Sequence, residues 1–168
     1  MRPTIKLWLA TCFGLGFLLM GGALLFKSHR SSLVPPFSAK PESLPKPLVT
    51  INDQHLSVEL ADTPEKQRQG LAGHEPLTDF QGMLFPFDSP RPVTFWMKGM
   101  TFPIDMIYLA EGRVVQIYAN VPAPQPQIPD QDLARYPSKQ SVDYVLETRA
   151  GWAQDYQISV GDAVTFNF

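Results

Sequence analysis

The sequence predicts a mainly β domain, a compact antiparallel sandwich or small barrel with one or two short helices, preceded by an N-terminal membrane helix. Three observations carry this expectation. From Leu48 onward the apolar residues fall in short alternating runs, the spacing of half-buried strands and not of helices. Only one helix is well signalled in that region. Before it, Leu7 to Phe26 (LWLATCFGLGFLLMGGALLF) is twenty residues without a charge, enough as a helix to cross the hydrocarbon core of a bilayer at about 1.5 Å per residue.

The organisation follows in chain order. Residues 1–27 are expected to form the membrane segment, flanked by Arg2 and Lys6 before it and by Lys27 and Arg30 after it. A cleaved signal peptide is the rival reading: its apolar region is typically about 7–15 residues, and Gly21, Gly22 and Ala23 supply small residues for a peptidase. The length favours an uncleaved anchor. The free amine with Arg2 and Lys6 slightly outweighs Lys27 and Arg30, which points to the N-terminus inside and the domain outside the cytoplasm. If the segment is cleaved, the domain is periplasmic or secreted. Residues 28–47 hold five prolines between Pro35 and Pro47, the composition of a semi-rigid extended spacer.

Residues 48–168 form the expected β-rich domain. Strands are predicted near 48–52, 55–61, 82–87, 92–98, 104–110, 113–119, 142–148 and 162–168, with Glu111 and Gly112 as a tight hairpin turn. Thr63 reads as an N-cap, Pro64 as the first helical residue and Glu65 as an acid at the positive helix end, with Gly70 or Gly73 as the stop. A shorter helix is expected after Ala150. Eight short strands and one or two short helices fit an antiparallel sandwich or barrel better than an alternating α/β fold. The proline-rich insert Asn120 to Pro137 is too long for a tight connection and reads as a binding surface or a cover over the sheet.

Charge and cysteine usage exclude several functions. Residues 48–168 carry fifteen Asp and Glu against eight Lys and Arg, without a basic run. Such a surface repels phosphate backbones, so nucleic acid is not an expected partner. Cys12 is the only cysteine, which leaves the domain without a disulfide, a thiol nucleophile or a thiolate ligand. His55 and His74 lie nineteen residues apart with no metal-ligand spacing, and no metal or cofactor is expected. Asp130 and Asp132 lack the glycine and distal glutamate of a calcium loop. There is no Gly-x-Ser-x-Gly elbow.

The stretch FWMKGMTFPID, Phe95 to Asp105, is the most distinctive. Alternation places Val93, Phe95 and Met97 on one face and Thr94, Trp96 and Lys98 on the other; it likewise sets Ile104, Met106 and Tyr108 against Asp105, Ile107 and Leu109. If these strands pair as a hairpin, register decides whether Lys98 meets Asp105 beside Trp96 or faces away from it. Pro103 stiffens the connection.

These motifs have an order. VELADTPEKQRQGLAG, GMLFPF, FWMKGMTFPIDMIYL, GRVVQIY, YVLETRAGW and VGDAVTF succeed one another between about residues 50 and 168, and in that order they resemble the family catalogued as domain of unknown function 192. Where many members have Asn-Thr after the Trp-Met-Lys, this chain has Gly99-Met100, and their Met-x-Arg after the helix is Ala72-Gly73-His74 here. The resemblance implies a compact jelly-roll-like β domain, often with a signal or membrane segment. It implies no reaction, cofactor or catalytic residue.

The candidate ligand-binding residues are therefore Trp96, Lys98, Asp105 and Arg68. An indole face suits sugar rings or cations, and a paired lysine and aspartate serve either a polar ligand or acid/base chemistry. Structural ion pairing is the competing account of the same charges, and of Glu147 and Arg149 in YVLETRAGW. The expected function is a non-catalytic, membrane-tethered extracytoplasmic module for a small polar ligand or an envelope protein partner. The alternatives are a hydrolase or lyase using Lys98 and Asp105 with Arg68, and an accessory domain docking on an envelope complex.

Overall fold

The computed structural model describes residues 46–168; the expected membrane helix and nearly all of the expected spacer lie outside the described residues. Nine strands are described: β1 Leu48–Ile51, β2 Gln54–Leu60, β3 Gln81–Arg91, β4 Thr94–Trp96, β5 Ile104–Ala110, β6 Arg113–Val121, β7 Arg135–Pro137, β8 Val142–Arg149 and β9 Val164–Asn167. Two short helices join them, α1 Pro64–Gln69 and α2 Trp152–Asp155. No helix among the described residues is long and apolar enough to cross a membrane. The domain is mainly β, as the alternating pattern predicts.

Seven strands form one sheet in the order β6-β5-β8-β3-β2-β1-β9. All neighbours are antiparallel except β2 and β3, which are joined through α1. A parallel pair needs a crossover, and the helix supplies it. The sheet curls into a half-barrel. Its two edges meet at one end, where the Val114 amide donates to the Asp162 carbonyl (2.9 Å) and the Gly161 amide to that of Val114 (2.8 Å). Between β5 and β6, Glu111 and Gly112 both have positive φ, 52° and 68°, the backbone of a primed hairpin turn that matches the strand twist. At α1, the Thr63 hydroxyl accepts from the Lys66 amide (3.3 Å), and Gly70 ends the helix with φ 52°.

Period-two alternation sorts the core onto both faces of the sheet. Ile107 and Leu109 of β5 pack on one face with Leu84, Leu146 and Trp152. Ile104, Met106 and Tyr108 pack on the other with Met83, Phe85, Val145 and Met97. Strand β5 is therefore buried at all seven positions. The first face is covered by α2, whose Trp152 donates its indole N–H to the Asp79 carbonyl (3.1 Å). The second is covered by β4, β7 and the chain around them.

The strands of FWMKGMTFPID do not pair with each other as a hairpin. Strand β4 pairs with β7, Phe95 opposite Tyr136, in a separate two-stranded sheet, while β5 lies between β6 and β8. The proline-rich insert supplies β7, and pairing with it shortens the predicted 92–98 strand to three residues. The insert is pinned as a cover: Tyr118 donates to the Pro137 carbonyl (2.9 Å) and Gln116 to the same oxygen (3.1 Å). An edge-to-face series of rings, Phe85, Phe95, Tyr108, Tyr118 and Tyr136, runs beneath it.

Asp105 is fully buried on the α2 face. One carboxylate oxygen accepts from the amides of Asn120 (2.7 Å) and Gly151 (3.0 Å), and the other from the amide of Ala153 (2.9 Å). Asn120 lies in the left-handed region, φ 52°, where the β5–β6 register slips between Ile104 and Met106. Gly151 is the N-cap of α2, and no side chain of its own caps that helix. Bulges and helix starts leave amides without ladder partners, and the Asp105 carboxylate serves both. Asp105→Ala is expected to lower the unfolding free energy by about 3–5 kcal/mol in urea titration, and Asp105→Asn by a smaller amount, because buried amides then lose an acceptor. A loss under about 0.5 kcal/mol in both variants, the size typical of an inert surface change, would refute this role.

Candidate functional site

With Asp105 committed to three amides, the four expected site residues do not converge. Lys98, just beyond β4, places its ammonium 2.5 Å from Asp130 of the insert, and the two form an exposed ion pair. Arg68 of α1 pairs with Glu65 at 2.8 Å, a contact across one helical turn. Trp96 is 36% exposed; Arg135 stacks 4.2 Å from its ring centre and the Lys98 ammonium lies 5.4 Å away. Lys98 and Asp105 are thus separate, each with its own partner. The pairing required for acid/base work between them is absent.

Trp96, Lys98 and Arg68 do share a small cavity between α1 and β4, and its sheet side supplies a residue that sequence reasoning assigned to structure, Glu147. The cavity offers about 30 Å³ to solvent, room for about one water molecule. It adjoins a shallower groove of about 270 Å³ that shares Gln67, Phe85, Phe95 and Trp96 and adds Phe87, Arg91, Val93 and Thr94. Among the described residues that line the two, Glu147 is the only carboxylate.

Glu147 is 5% exposed. It lies on β8, opposite Met83 of β3 and Met106 of β5. Among the described residues its carboxyl has no salt-bridge or hydrogen-bond partner, and burial alone pushes its pKa up to about 8. Tyr108 on the same face is also raised, chiefly by burial and then by Tyr118 and Glu147; its hydroxyl donates to the Tyr136 carbonyl (2.5 Å). A charged carboxylate in such surroundings is costly, which favours the protonated acid.

A signal for Glu147 exists in the sequence. In YVLETR it shares parity with Val145, so a strand buried on both faces would bury it as well. Sequence reasoning could not place β8 between β5 and β3, and so the residue read as an ordinary ion-pair former. Arg149, two residues on, does fit that account. Its guanidinium binds Asp155 at 2.8 Å and also Asp79, and the hydrogen bonds it donates to Asp155 and Asp79 raise its pKa. His55 bonds the Thr50 hydroxyl (2.9 Å), and His74 lies 3.4 Å from Glu59.

The fold and cavity define a class: a curled-sheet β domain with a mostly buried acid beneath an aromatic rim. The chain belongs to the family described as Uncharacterized ACR, the domain of unknown function 192, which matches residues 48–166. The order of motifs from VELADTPEKQRQGLAG to VGDAVTF implies the same membership. Two solved structures are similar. One is a protein of unknown function from Novosphingobium aromaticivorans, 31% identical, with a TM-score of 0.63 and coverage of 70% of this chain and 83% of that one. The other is a putative transcription regulator from Sinorhizobium meliloti, 31% identical, with a TM-score of 0.62 and coverage of 71% and 91%. No curated protein matches the chain.

The raised acid has a consequence for stability. Below its ordinary value of 4.5, Glu147 is protonated in folded and unfolded chains alike and makes no difference. As pH rises from there to about 8, the unfolded chain gives up the proton and the folded chain keeps it, so stability falls; above that the loss is complete. Glu147→Gln is expected to be the more stable protein by about 2–4 kcal/mol at pH ~8, with the difference vanishing near pH ~4. Urea unfolding of both proteins across this range measures it, and a difference that does not change with pH would show an ordinary, hydrated carboxyl.

Proposed function

We propose that this protein is a membrane-tethered, extracytoplasmic binding module that takes a small polar ligand in the groove between α1 and β4. One observation carries the reading: the Glu147 carboxyl opens on a solvent-accessible cavity with aromatic walls and has no hydrogen-bond or salt-bridge partner among the described residues. An unpaired polar group is expensive inside a protein and is relieved when a ligand or water supplies the missing bond. Apolar walls with a few convergent polar groups are the usual composition of small-molecule sites. The tether rests on the uncharged run Leu7 to Phe26 and on the proline-rich spacer after it. An envelope protein docking on the same surface is the other partner class in keeping with that address.

A hydrolase or lyase built on Lys98 and Asp105 has less support. The lysine is held by Asp130 and the aspartate is surrounded by backbone amides, so neither is poised to move a proton for the other. The similar Sinorhizobium meliloti protein is described as a putative transcription regulator, which makes nucleic acid the other partner to weigh. The acidic excess of residues 48–168 argues against it here.

Calorimetric titration of the full chain with a panel of small polar metabolites, neutral sugars and polyols included, tests the binding site. At least one compound is expected to bind, and Trp96→Ala is expected to weaken it by about 10-fold or more through lost ring contact while leaving the melting temperature nearly unchanged. If no compound binds, or if Trp96→Ala binds every compound as the parent does, the groove is not the site. For the tether, N-terminal sequencing of the membrane fraction is expected to find residues 1–27 intact. A new terminus near Ala23 would replace the anchor with a cleaved signal.

A further inference from the structure

The charges around the cavity differ in how far they are already satisfied. Arg68 on α1 is paired with Glu65, and Lys98 beyond β4 with Asp130. The Arg135 guanidinium lies over the Trp96 ring, 4.2 Å from its centre. On the sheet side, Tyr108 of β5 has given its hydroxyl hydrogen to the Tyr136 carbonyl. Among the described residues each of these groups therefore has a partner and the Glu147 carboxyl has none, so the unfilled capacity of the cavity is that of one carboxyl. Its surroundings suit a cation: Phe85 and Phe95 meet edge to face at 4.9 Å, and Trp96 already draws an arginine to within cation–π distance.

We propose that the Glu147 cavity binds a primary amine as its ammonium ion, with the Glu147 carboxylate as counter-ion, Phe85, Phe95 and Trp96 as walls, and the rest of the ligand lying in the adjoining groove. This rests on the binding function proposed above and names the chemical class of the ligand. The inner cavity, about 30 Å³, has room for a head group the size of an ammonium. The outer groove, about 270 Å³ with Arg91 at its edge, has room for a short chain and a cation for an acidic or hydroxylated tail.

Binding moves one proton. The amine arrives already protonated, the Glu147 carboxyl releases its hydrogen to solvent, and the resulting carboxylate accepts hydrogen bonds from the ammonium. Charge balances within the site, which is how a buried ion pair becomes tolerable where a lone carboxylate is not. Because burial holds the empty site's acid protonated up to about pH 8, near one proton should leave for each amine bound at neutral pH.

The test is calorimetry on the full chain with n-butylammonium, run at neutral pH in two buffers of different ionisation enthalpy. Binding with close to one proton released per site is expected, and Glu147→Gln, which keeps shape and neutrality, should bind about 10- to 100-fold more weakly and release none. Equal binding by Glu147→Gln, binding without proton release, or no binding of n-butylammonium each overturns the assignment. Methyl glucoside and n-butanol, run in parallel, separate this failure from that of the site itself. If either neutral compound binds and Trp96→Ala abolishes it, the groove stands and only the amine is wrong; if neither they nor the amine bind, both proposals fall.

Discussion

Asp105 is an aspartate in the middle of a central strand, fully buried, with three backbone amides around its carboxylate. Its two oxygens take up the amides that a bulge in β6 and the start of α2 would otherwise leave without acceptors. Strand β5 cannot be moved relative to either element without exposing that carboxylate to unpaired burial, which costs several kcal/mol. The helix brings Trp152 over one face of the sheet, and the bulge turns the chain into the proline-rich insert. The insert then returns as β7 to cover the other face. The position of β4, and with it the cavity, follows from that cover.

The same geometry explains why one acid is spent and another is not. Asp105 and Glu147 lie on adjacent strands, β5 and β8, at positions that face opposite sides of the sheet. On the α2 side, amides at a helix start and a bulge are waiting for an acceptor, so Asp105 is satisfied by the backbone. On the β4 side, Glu147 shares its cavity with Phe85, Phe95 and Met100 and with Arg68 and Lys98, whose charges are paired with Glu65 and Asp130. A protein retains such a group at a cost in stability, and perturbed acids of this kind gather at functional sites. The ion pairs of Lys98 and Arg68 at the rim are exposed and screened, and contribute little to folding.

Much of the fold was legible in the sequence. Alternation located eight of the nine described strands to within a few residues, and Thr63, Pro64 and Gly70 marked α1 because caps are local chemistry. The Glu111-Gly112 turn and the facing of β5 were readable for the same reason. The ninth strand was not. Arg135–Pro137 contains a proline and lies in a run of prolines, and it is a strand only because β4 is there to pair with it. Of the candidate residues the structure sets Trp96, Lys98 and Arg68 beside one cavity and Asp105 among backbone amides, a separation that turns on strand pairing the sequence left open.

By itself the sequence determined the local terms of this protein: where strands, helix and turns lie, which parity of each strand is apolar, that the domain is acidic, and which family its motifs spell. These follow from interactions between residues a few positions apart, and period and propensity report them directly. Only the tertiary structure decided strand order, the crossover pairing of β2 with β3, and the company each charge keeps. Lys98 found Asp130 across the insert, Asp105 found three amides, and Glu147 found no polar partner among the described residues, because strand partners are chosen by packing across long stretches of chain. A carboxylate has one sequence letter whether it caps a helix or stays protonated in an apolar cavity; burial and the donors within reach decide between them.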